Sequence, residues 1–143
     1  MTVKRVFLIR RLLAIGASVL IGVFLVSLLN FASHHLSGPK RSRIISGAKF
    51  EIKPYKWKSN RETDFHIVIE TFQNPPMLNL DLSKTALIVD ELDNPYRPLK
   101  WIPKKRTGSR VEGDLIFTAG PHKPKQLTLI IFTSEENQFQ WTF

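Results

Sequence analysis

From Leu12 to Ser33 the chain runs for 22 residues without a charged side chain, LLAIGASVLIGVFLVSLLNFAS. As a helix rising about 1.5 Å per residue, this stretch is roughly as long as a bilayer's hydrocarbon core is thick. The alternative, a buried core helix, fails on size. The remaining residues, about 100 of them, cannot wrap a long helix that is apolar on every side. The sequence therefore predicts a transmembrane helix over 12–33, with a basic tail over 1–11 ahead of it. The stretch is longer than the h-region of a cleaved signal peptide, and no small-x-small site follows it. Asn30-Phe31-Ala32 and Phe31-Ala32-Ser33 both place a poor residue at the outer small position, so an uncleaved signal-anchor is expected. With no Cys in the chain, there is no lipid-acceptor thiol, disulfide framework or thiolate metal site.

The net charge of +9 is unevenly spread, and the spread decides what it means. Lys4, Arg5, Arg10, Arg11, Lys40, Arg41 and Arg43 give the first 43 residues a charge of +7 with no acid. The rest carries fourteen basic and twelve acidic residues, a balance of +2. The basic residues thus flank the apolar span, and the nearly neutral remainder argues against nucleic acid as a partner. Lys4, Arg5, Arg10 and Arg11 lie closest to the span, which predicts a cytoplasmic amino end and an extracytoplasmic carboxyl-terminal domain, periplasmic or at the cell surface. Gly38-Pro39 ends any helix, so 34–46 reads as a juxtamembrane linker in which Lys40, Arg41 and Arg43 have the chemistry to meet anionic lipid headgroups.

Beyond the linker the hydrophobic period changes to two. Phe50, Ile52, Tyr55 and Trp57 mark a first strand, with Pro54 signalling an edge or a bulge. Further strands are read at Asp64 to Phe72, at Leu78, Leu80 and Leu82, at Ala86 to Val89, around Val111 to Phe117, at Leu127 to Phe132, and at Phe139, Trp141 and Phe143. About seven short strands without a long helical pattern predict an all-β domain over 47–143, an immunoglobulin-like β-sandwich behind one transmembrane helix. Its expected core is Phe50, Trp57, Phe65, Ile67, Ile69, Leu87, Val89, Phe117, Leu129, Ile131 and Trp141.

Three stretches carry a resemblance: Leu87 to Tyr96, a strand ending in an acidic turn; Gly113-Asp114-Leu115-Ile116-Phe117, a G-x-L-x-F strand; and Leu127 to Ile131, opening a terminal hairpin. Over Ala86 to Phe143 the chain resembles the small telokin-like immunoglobulin domains found behind bacterial membrane anchors, with Asn94-Pro95 standing where a glycine is common. The resemblance implies the fold and no catalytic residue, because such domains share no single activity.

The search for chemistry gives few candidates. Asp90, Glu91 and Asp93 have oxygens suited to a hard cation, but not the spacing or distal Glu of an EF-hand loop, so a solvated turn is expected. His34-His35 has no carboxylate or thiolate nearby, and His66 and His122 stand alone in the sequence. Ser109 lacks the glycine that a nucleophile elbow needs two residues later, where Val111 stands. No phosphate-binding glycine motif is present, so neither a nucleotide nor a cofactor is expected. Lys104, Lys105, Arg106 and Arg110 form the one basic concentration in the domain, read as a loop over 103–110 with the chemistry to meet an acidic partner. The sequence therefore points to a non-enzymatic module that meets the bilayer and another membrane or envelope protein. The second reading is a small-ligand or metal-ion delivery module.

Overall fold

The computed structural model describes residues 34–36, 38–58 and 61–143. The predicted tail and span, with Lys4, Arg5, Arg10 and Arg11, lie outside the described residues. No helix among the described residues is long and apolar enough to cross a membrane.

The described chain forms ten strands in two antiparallel sheets around one apolar core. The strands are β1 (His34–His35), β2 (Arg41–Ile45), β3 (Ala48–Lys58), β4 (Glu62–Glu70), β5 (Ala86–Asp90), β6 (Pro95–Tyr96), β7 (Pro98–Arg106), β8 (Arg110–Thr118), β9 (Gln126–Phe132) and β10 (Glu136–Thr142). The first sheet has the order β3-β4-β8-β7, with β1 and β2 both on the outer side of β3; the second has the order β10-β9-β5-β6.

Alternation builds the core. Phe50 and Ile52 on β3, Phe65, Ile67 and Ile69 on β4, and Leu115 and Phe117 on β8 turn inward against Leu129 and Ile131 on β9 and Trp141 on β10. Phe65 sits at the junction of the sheets, edge-on to Phe117 at 5.8 Å and tilted against Trp141 at 5.4 Å between ring centroids. All these expected core residues are buried except on β5, where Ala86 and Ile88 face inward and Leu87 and Val89 are half-buried. In an apolar run such as ALIV the side-chain period does not reveal which face is inner, and the register with β9 decides it. Pro54 marks a bulge: the register with β4 shifts between Pro54 and Lys56, which brings Trp57 back to the core face.

Three segments depart from the sequence reading. The stretch 34–46, expected as a linker, carries β1 and β2, and it buries Leu36 and Ile45. Ser46 and Gly47, at φ 50° and 79°, form a two-residue turn with both residues left-handed, the type I′ geometry that closes a β2–β3 hairpin. The residues between Phe72 and Ala86, read as containing a strand through Leu78, Leu80 and Leu82, form a 3₁₀ turn (Pro75–Asn79) and a short helix, α1 (Leu82–Thr85). Pro75-Pro76 pre-set the first turn, and Asp81 caps α1 by accepting from the Ser83 N–H at 3.1 Å. The third segment is the basic stretch read as a loop over 103–110: Pro103 to Arg106 end the nine-residue strand β7, and Arg110 opens β8.

On the outer face of the first sheet, Asp64 has a carboxylate oxygen, Oδ1, that is buried without a hydrogen-bond partner among the described residues. Burial, with help from the Glu62 charge, pushes its pKa above the ordinary 3.8. A raised carboxyl pKa means that the folded state resists ionisation, so the cost is full at neutral pH and vanishes below 3.8. Asp64→Asn is therefore expected to raise the melting temperature at pH 7, with an advantage that shrinks steadily as the pH is lowered. Thermal melts of both proteins across that range check it; a pH-independent difference would contradict it.

Candidate functional site

The basic cluster singled out in the sequence is largely consumed by the fold. Lys104 pairs with the Asp114 carboxylate, and Arg110 reaches Glu112 at 3.3 Å. Arg106 donates to the Asn79 side-chain oxygen at 2.8 Å and to the Leu78 carbonyl at 2.6 Å, tying the end of β7 to the 3₁₀ turn. His66 lies across from the same two acids, 2.9 Å from Asp114 and 3.3 Å from Glu112. For Asp114, burial pushes the pKa up, but the hydrogen bonds from Lys104 and His66 outweigh it and hold the carboxylate below its usual range. Lys105 makes none of these contacts, so four cations that look like a docking patch in the sequence reduce to one exposed lysine and three side chains engaged across strands, along β8 and at the 3₁₀ turn. Opposite charges directly across a sheet stabilise the pairing of strands.

The acidic turn is also spoken for. Asp90 accepts from the Leu92 and Asn94 N–H groups at 2.9 Å each, from the Asn94 side chain, and from the Tyr96 hydroxyl at 2.9 Å. Burial raises the Asp90 pKa, and these four donors outweigh it to leave a lowered value; the same burial and the Asp90 charge push Tyr96 up to about 12. Glu91 accepts from the Lys125 and Gln126 backbone N–H groups, joining the turn to the start of β9. Asp93 holds a left-handed φ of 60° within the turn. Among the described residues no three His, Asp or Glu side chains converge as a metal site.

Of the cations in the stretch read as a linker, Lys40 pairs with Glu51 at 3.0 Å, and Lys49 on β3 closes on the same carboxylate from its other side. Those two hydrogen bonds hold the Glu51 pKa down to about 2. Arg41 and Arg43 have a different place. Ile45 is buried, so alternation puts Arg43 and Arg41 on the same face of β2, turned toward the second sheet. The Arg43 guanidinium lies 5.6 Å from the centroid of the Phe139 ring. Between the two sheets on this side runs a groove of about 520 Å³, lined by Arg41, Ser42, Arg43, Gln138, Phe139 and Gln140.

Both walls of this groove are sheet edges. Among the described residues β2 pairs only with β3, and β10 only with β9. The Phe143 N–H bonds to the Lys125 carbonyl at 2.7 Å, so by alternation Trp141, Phe139 and Asn137 exchange bonds with β9. The backbone groups of Gln138 and Gln140 then face away from β9, along the open edge. On β2 the two-residue turn makes Ile45 and Ala48 a hydrogen-bonded pair, which leaves the Ser42 and Ile44 backbone groups facing outward. A lip carrying two guanidinium groups and an edge rich in free amides thus face each other.

The sequence reading placed Arg41 and Arg43 beside the membrane and missed the groove, because β2 exposes four of its five residues and shows no alternation. The usable signal was the Ser46-Gly47 turn. Compared with family models, curated proteins and solved structures, the chain matches none.

Proposed function

We propose that this chain is a single-pass membrane-anchored domain on the extracytoplasmic side that docks another membrane or envelope protein without catalysing a reaction. The observation that carries the reading is the groove between β2 and β10, where two open sheet edges and two arginines converge. Strand edges of this kind are docking elements, whereas the chemistry-bearing side chains elsewhere are spent on holding the fold.

We read the sandwich as immunoglobulin-like. The order β3-β4-β8-β7 against β10-β9-β5 supports this, because it is the A-B-E-D and G-F-C arrangement with β6 as an added C′ strand and β1–β2 as an amino-terminal addition. The anchor reading rests on the uncharged run over 12–33, and the orientation on Lys4, Arg5, Arg10 and Arg11.

Alkaline extraction of native membranes followed by gentle solubilisation tests the reading. The full-length chain stays in the alkaline pellet and migrates after solubilisation in a complex heavier than the chain alone. A soluble product beginning near Ser33, or a chain that always migrates alone, would overturn it.

A further inference from the structure

The sandwich has several strand edges, and they are not equally guarded. β7 carries Pro98 and Pro103, two register shifts, and the cations Lys100, Lys104 and Lys105. These devices keep a foreign strand from pairing there. β6 is two residues long and begins with Pro95. β10 has none of this protection: its seven residues, ENQFQWT, contain no proline and no cation, and they pair with β9 in unbroken register. It is the long, flat edge that a sheet protein ordinarily blocks.

Resting on the docking role proposed above, we infer that β10 accepts an added strand, an extended acidic segment of the partner protein lying in the groove against β2. The outward backbone groups of Gln138 and Gln140 supply the hydrogen bonds for strand addition. Charge selects the occupant. The groove is lined by Arg41 and Arg43 with no carboxylate, and neither guanidinium has an ion-pair partner among the described residues. In a strand running antiparallel to β10, alternate side chains point to one face. Acidic residues at every second position then meet the arginines beside Phe139, and the residues between them, which exchange hydrogen bonds with Gln138 and Gln140, lie on the outer face. The bound strand joins the two sheets along the side that this fold leaves open.

The test uses the full-length chain in neutral detergent micelles and three fluorescein-labelled, end-blocked decapeptides: alternating Val and Glu, alternating Val and Lys, and alternating Pro and Glu. The Val-Glu peptide binds about tenfold more tightly than the Val-Lys peptide, with an affinity that falls as salt is raised. The Pro-Glu peptide does not bind, because with its acids facing the arginines its prolines fall opposite Gln138 and Gln140, where N–H donors are needed. Hydrogen exchange at the Gln138 and Gln140 amides slows when the Val-Glu peptide is added. Gln138→Pro with Gln140→Pro removes only outward N–H groups and abolishes binding. Should those prolines disturb the hairpin, Arg41→Glu with Arg43→Glu gives an independent reading on exposed side chains, reversing the preference toward the Val-Lys peptide. Equal binding of the two alternating peptides, binding of the Pro-Glu peptide, or protection at β7 instead of β10 would overturn the inference. If it fails while the solubilised complex persists, the docking role stands and its site lies elsewhere.

Discussion

Replacing Trp141 with alanine is expected to remove about 3–5 kcal/mol of stability, the usual cost of emptying a large aromatic site in a packed core. Since a domain of this size is stable by roughly 5–15 kcal/mol in total, the variant should melt far below the parent or fail to fold at physiological temperature. Trp141 is fully buried against Phe65, and its indole N–H donates to the Pro39 carbonyl at 2.7 Å. It therefore also fastens the amino-terminal segment, which passes close to its ring at Gly38. A Cβ on Gly38 would stand 2.8 Å from the Trp141 Cδ1 and 2.7 Å from the Pro54 Cγ. Trp141→Phe keeps most of the ring and loses the hydrogen bond, so it should cost much less. A fragment beginning at residue 46 should be destabilised through the same contact, with the burial of Leu36 and Ile45 also lost. Denaturant melts of the three proteins check this; parental stability in the 46–143 fragment would contradict it.

Gly113→Ala should be the other severe substitution. Gly113 lies opposite Pro103, beside the register shift in β7. A Cβ there would press into the Ile102 carbonyl oxygen and stand 2.8 Å from both the Pro103 Cα and the Trp101 Cη2. Two of these obstacles are backbone, so a rotamer change cannot relieve the clash and β7 must lift away from β8. Overpacking of this kind costs about 1–3 kcal/mol, and the upper end is expected here. Gly108→Ala, where nothing lies within 4 Å, should leave the melting temperature almost unchanged. Comparable losses at the two glycines would show that backbone freedom, not close strand approach, is what Gly113 provides.

Strands with one apolar and one polar face were legible in the sequence, whether inside a sheet or at its edge. Phe65, Ile67 and Ile69 announce β4 in this way, and Phe139 and Trp141 announce β10. The edge strands β7 and β2 were not legible, because neither shows that alternation. β7 has Trp101 and Ile102 side by side, two prolines and a run of cations, a composition that protects an edge and reads as a loop. β2 hides its single buried residue, Ile45, next to the turn. The candidate site sets β10 against β2, and because β2 carried no hydrophobic period the groove between them did not show. The basic run that did attract attention was misleading because Asp114 engages Lys104 across the strands, Asn79 and the Leu78 carbonyl engage Arg106 from a turn distant in sequence, and Glu112 takes Arg110 along β8.

Site-specific photo-crosslinking of the full-length chain in native membranes tests most directly whether the open edge is where this domain meets its partner. A photoreactive residue at Ser42 or at Gln140, on opposite walls of the groove, should give adducts of one common mass, while the same residue at Lys105 on the guarded edge should give none. An adduct confined to Lys105, or silence at both groove positions, would contradict the account.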